Sequence, residues 1–134
     1  MPSYETGVDI AATRDEVWRA LLHAGLLGAP EEVVAGRRVT FGGGDPEGPH
    51  ESFTVAESDA ESRLVLVQGW PAGLYTVRRS ILLGDSEQGV RVELVQEFHG
   101  PLAAVLGRTA SDPTPAMAGF AAALKQAAEA AADD

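Results

Sequence analysis

Polar and apolar residues alternate from Ser3 to Ile10, with Tyr4, Thr6, Val8 and Ile10 on one side, which predicts a strand. The period then lengthens. Val17, Trp18, Leu21 and Leu22 fall on one face of a helix, while Arg14, Asp15 and Arg19 fall elsewhere. Thr13 and Glu16 stand at the spacing of a capping box, in which a hydroxyl and a carboxylate each satisfy a backbone donor of the first turn. Gly25 ends the helix. A short apolar stretch leads to Pro30, where the acids Glu31 and Glu32 open either a turn or a short second helix.

Period two then resumes for about sixty residues and predicts strands near Val33–Phe41, Glu51–Glu57, Arg63–Trp70, Leu74–Leu83 and Val90–His99. Glycine, proline, aspartate and serine fill the short breaks between them. Connections of that length cannot carry parallel crossovers, so the strands form an antiparallel meander. On the last strand Val90, Val92, Leu94, Gln96 and Phe98 share one face, and Arg91, Glu93 and Glu97 share the other. One face is buried and one is wet. Asp112-Pro113 and Thr114-Pro115 each offer a helix cap with proline behind it, and Met117, Phe120, Leu124 and Ala128 follow at helical spacing. A helix from Pro113 to Ala132 is about 30 Å long. Its alanine-rich face either packs closely on the sheet or leaves a gap.

The 134 residues carry ten bases against twenty acids, a net charge of −10. Such a field repels phosphate backbones and anionic lipid, and a single lysine, Lys125, leaves no polybasic patch; nucleic acid is excluded as a partner. The absence of cysteine removes disulfides, thiolate catalysis and cysteine-bound metal. His23, His50 and His99 are isolated, so no metal site is expected, and no motif points to a cofactor. No apolar run reaches membrane-spanning length. The expectation is one cytoplasmic domain over residues 1–134, monomeric or homodimeric, with no membrane span.

The run Val8-Asp9-Ile10-Ala11-Ala12-Thr13-Arg14-Asp15-Glu16-Val17-Trp18-Arg19-Ala20-Leu21 resembles the opening of the START-like, or SRPBCC, superfamily. There an isoleucine, a short alanine or proline turn and a Glu-Val-Trp run lead from the first strand into the first helix. Gly100 to Arg108 and Phe120 to Lys125 are similar to the start and body of the family's last helix. The resemblance implies an α+β helix-grip fold. A curved antiparallel sheet of six to seven strands would wrap around a long C-terminal helix, with two short helices after the first strand. Polyketide cyclases, lipid and sterol carriers and activators of a chaperone ATPase share that opening, and the fold alone does not choose among them.

Candidate chemistry lies where polar residues intrude on apolar faces. Arg79 sits within the parity of Tyr75, Val77, Ile81 and Leu83; Gln96 sits within that of Leu94 and Phe98; Gln68 shares a face with Leu64, Leu66 and Trp70. A buried guanidinium is costly without a partner, water or a cavity. Two registers are open: either Arg79 points inward, into a pocket or snorkelling at the barrel end, or a slip of one residue places Arg78 inside and Arg79 outside. Arg37, in parity with Val39 and Phe41, is a further inward candidate. With the aromatic and helical walls, the candidate ligand-binding residues are Arg79, Gln96, Tyr75, Trp70, Gln68, Phe41, Phe120 and Met117. The function expected is binding of a hydrophobic, lipid- or polyketide-like small molecule between the sheet and the C-terminal helix. The alternative is a polyketide aromatase or cyclase using the same cavity, with Arg79 stabilising an enolate and Tyr75 moving protons. No catalytic residue is assigned.

Overall fold

A computed structural model describes residues 3–24, 33–42, 50–69, 74–101 and 114–133. Strand β1 (Ser3–Ile10) leads into helix α1 (Arg14–Ala24). Strands β2 (Arg38–Gly42), β3 (His50–Asp59), β4 (Arg63–Gly69), β5 (Thr76–Asp85) and β6 (Val90–His99) follow, and helix α2 (Thr114–Asp133) ends the described chain. The six strands form one antiparallel sheet in the order β1-β6-β5-β4-β3-β2. Five of them make the expected meander, and β1 returns to close against β6. Residues 25–32, where a second short helix was expected, lie outside the described residues.

The capping box forms in both directions. The Thr13 backbone N–H donates to Glu16 Oε1 at 2.9 Å, and the Glu16 N–H donates to Thr13 Oγ1 at 3.2 Å. With its first turn satisfied, α1 presents Val17, Trp18, Ala20, Leu21 and Leu22 to the core, all buried. Strand β6 alternates without a fault: Val90, Val92, Leu94, Gln96 and Phe98 are buried, and the residues between them are half-exposed. A bulge in β3 between Val55 and Glu57 interrupts its register with β4.

The expected strand from Val33 begins later, at Arg38. Gly36 adopts a φ of 91°, and the Arg37 N–H closes a turn onto the Val34 carbonyl at 3.1 Å. Only glycine takes that conformation cheaply, and it breaks the period that continued to Phe41. Arg37 is consequently exposed rather than inward, while Val33 and Val39 on either side of it are in the core.

Helix α2 packs against α1 and β1 and only grazes β6. Ala121 and Ala128 are both buried in the main core, so the alanine face serves close approach there rather than a gap. Lys125 and Glu129, one turn apart, grip the β1–α1 junction. Lys125 Nζ donates to the Asp9 carbonyl and to Glu129 Oε2, both at 2.8 Å, and Glu129 Oε2 also accepts the Ala11 N–H at 2.9 Å. The backbone bond from Ala11, and then the bond from Lys125, hold the Glu129 carboxyl below the usual glutamate value.

Candidate functional site

The sheet's inner face has two halves. Around Ile10, Val90, Val92, Leu64, Leu66 and Ile81 it is apolar and sealed against α1 and α2. Toward the other end the packing changes character. Val77 and Phe98 form a separate small cluster with half-buried Tyr4 and Tyr75 against it. Tyr75 stacks on Phe98 with centroids 5.9 Å apart, and Tyr4 meets the same ring edge-on at 6.0 Å.

Arg79 and Gln96 lie between these halves. They face each other directly across β5 and β6, and Gln96 faces Tyr4 across β1. Of the two open registers, the structure takes the one with Arg79 in the parity of Val77, Ile81 and Leu83. Arg78 is on the outer face, 3.8 Å from Glu57. The Arg79 Nε and Nη2 atoms donate to Gln96 Oε1 at 3.0 and 2.7 Å. Its guanidinium also lies 5.0 Å over the Phe53 ring, a favourable cation–π placement. Gln96 is a neutral acceptor, and the two bonds fix the direction of the guanidinium on this face.

The remaining candidates separate. Tyr75 belongs to the aromatic cluster beside the pair, and burial pushes its hydroxyl above the usual phenol value. Gln68 is half-buried and spends its amide N–H on the Ser52 carbonyl at 3.0 Å, a tie to β3. Met117 and Phe120 are buried in the main core with Leu124, on the sealed side. Phe41 is placed in β2 opposite Glu51, but its side chain lies outside the described residues, as does all of Trp70. The sequence pattern pointed to Arg79 and Gln96 separately. Their mutual bond was not anticipated, although equal distance from the β5–β6 turn already implied it. Tyr4 and Phe98 were missed because aromatic residues on an apolar parity read as ordinary core.

An open groove of about 640 Å³ lies elsewhere, at the β3 bulge and the β3–β4 turn, lined by residues including Ala56, Glu57, Asp59, Ser62 and Arg63. Glu57 there lies 3.6 Å from Arg63 and 3.8 Å from Arg78. Leu82 and Leu83 also line it, but it has neither the aromatic rings nor the inward polar pair of the other end. No group of three or more potential metal ligands occurs among the described residues, and no described helix is long and apolar enough to cross a membrane.

No family model matches the chain, and no curated protein matches it. Solved structures do. The Aha1 dimer from Colwellia psychrerythraea superposes with a TM-score of 0.69 at 16% identity, over 96% of this chain and 97% of that one. What is shared is the fold. Protein MLL2253 from Mesorhizobium loti matches with a TM-score of 0.64 at 15% identity, over 94% of this chain and 96% of its own. DynU16, from the dynemicin biosynthetic locus, matches with a TM-score of 0.66 at 17% identity, over 97% of this chain but 48% of its own. All three are consistent with the helix-grip order that the Val8–Leu21 resemblance implies.

Proposed function

We propose that this protein binds a hydrophobic small molecule, lipid- or polyketide-like, at the aromatic end of the space between sheet and α2. The observation that carries this reading is the Arg79–Gln96 pair on the inner face of the sheet. A domain selected for stability alone gains little from such a pair, since apolar residues of similar volume usually do as well. The pair stands where the sealed core gives way to Tyr4, Tyr75, Val77 and Phe98, so an apolar body can lie along the aromatic rings with its polar end at the amide. Monomer and homodimer both remain compatible with this site, and the ligand is the partner the reading requires.

The test uses a neutral apolar dye, N-phenyl-1-naphthylamine, and native mass spectrometry of freshly purified protein. Dye fluorescence should rise on binding and fall when a medium-chain ligand competes. Val77→Trp, which fills the aromatic end, should abolish that rise while the far-UV spectrum stays unchanged. Equal dye binding by the folded variant would remove the site from this end of the sheet.

A second reading, a cyclase-type enzyme using the same space, draws on the likeness to DynU16 and on the protonated Tyr75 beside the pair. It asks for turnover of a poly-β-keto substrate that Tyr75→Phe abolishes without changing affinity. Binding without turnover favours the carrier.

A further inference from the structure

We infer that Gln96 reads the polar end of the ligand and accepts only hydrogen-bond acceptors there, with Arg79 acting as the positioning residue that fixes its amide. This rests on the binding site proposed above and adds the chemistry that the site selects.

A guanidinium has donors and no acceptor, so only the carbonyl side of a glutamine amide can face it. The two bonds from Arg79 Nε and Nη2 to the same Oε1, at 3.0 and 2.7 Å, leave the Gln96 amide one orientation. Its NH₂ group must therefore point away from Arg79. Gln96 is 5% exposed, yet that nitrogen donates to no described residue: its hydrogen bonds are the two that Oε1 accepts. Buried donors are rarely left this way, because the lost hydration is not repaid. Nor is the nitrogen sealed: among the described residues, the fully enclosed side-chain atom without a partner is Ser86 Oγ, at the opposite end of the sheet. Gln96 thus carries an oriented donor facing accessible space, with Tyr4 across from it on β1 and Phe98 two residues along β6.

The pairing sets a rule of selection. A ketone, ester or carboxylate oxygen completes the amide. An alkyl ammonium brings a second set of donors to a donor. A plain hydrocarbon tail is neutral to the arrangement. Arg79 enforces the rule by preventing the amide from turning over.

The experiment measures displacement of N-phenyl-1-naphthylamine from the full chain by 2-undecanone and by undecylamine, in about 0.3 M salt so that the protein's negative field is screened. The parent should prefer the ketone by about tenfold. Gln96→Glu keeps an acceptor on Arg79 but removes the donor, and should reverse the preference, read as the ratio of ketone to amine affinity within the same folded variant. Arg79→Met lets the amide turn, and should bring the two affinities together instead of lowering both. Gln96→Leu provides a second route to the same loss of preference should the glutamate variant not fold. A ketone-to-amine ratio unaltered by any folded variant that still binds dye overturns the selection rule and leaves the binding site standing. Failure of the parent to bind dye or either ligand removes the site itself, and the rule with it.

Discussion

The two ends of the sheet are built from the same strands but to different standards. At the β1–α1 junction nearly every polar group is engaged. Glu129 and Lys125 hold the backbone at Ala11 and Asp9, the capping box closes Thr13 to Glu16, and Arg14 donates to the carbonyls of Glu61 and Leu83 and pairs with Asp85 at 3.1 Å. Gly89 completes the closure. At a φ of 147° it lets the β5–β6 turn approach so closely that a Cβ there would stand 2.7 Å from the Ile10 carbonyl oxygen. At the far end Tyr4 and Tyr75 pack on Phe98 beside a polar pair whose amide nitrogen has no protein acceptor among the described residues. The junction end still encloses one side-chain atom without a partner among the described residues, Ser86 Oγ in the β5–β6 turn. The other end presents an oriented donor toward accessible space, as expected of a site that waits for a ligand.

That contrast is open to measurement. The largest effect should come from Trp18→Ala, since Trp18 is buried on the core face of α1; a loss of about 3–5 kcal/mol is expected in denaturant unfolding, and less than about 1 kcal/mol would mean α1 is not seated by it. Gly89→Ala should cost about 1–3 kcal/mol, because alanine must both adopt the strained φ and displace the junction backbone. A midpoint equal to the parent's would refute the tight closure. Thr13→Ala should lower stability by about 1 kcal/mol through loss of the cap, read from the same unfolding curves.

Acid gives a smaller, directional effect. The Glu129 carboxyl titrates lower in the folded chain than in the unfolded one. Its contribution is therefore fully present above the unfolded glutamate value of about 4.3 and is lost as pH falls through the folded value. Glu129→Gln should flatten the acid limb of the stability curve, and an identical limb would show that the grip on Ala11 contributes nothing. The smallest change in stability is expected at the other end. Arg79→Met combined with Gln96→Leu replaces a polar pair by apolar volume and should unfold within about 1 kcal/mol of the parent. A large loss would make the pair structural and erase the difference between the two ends.

How much of this could be read from the sequence follows the same division. Period and capping signals located β1, α1, β6 and α2 to within a residue or two, because each is long and strongly patterned. β2 was overextended because Val33 kept the parity of Val39 although a glycine in the left-handed region lay between them. The inward direction of Arg79 was undecidable from period alone, since Arg78 and Arg79 are identical side chains on opposite faces; pairing with Leu66 and Gln96 resolves it. The junction's tertiary ties were hidden for a different reason. Lys125 and Glu129 look like an ordinary helical ion pair, and only their approach to Asp9 and Ala11, more than a hundred residues earlier, makes them a clamp.

The placement of β1 beside β6 also sets an order of events during synthesis. β3 to β6 each pair with the strand made just before, so the meander can assemble locally and early. β1 is made before the other described strands, yet its register partners run from Val90 to Glu97, and the helix that clamps its far end comes later still. Closing that long span is entropically the slowest step available to the chain. Until it happens, the first strand is an unpaired edge. The opening sequence offers protection meanwhile: Glu5 and Asp9 on the outward parity and glycine at position 7 make it a poor template for pairing with other chains.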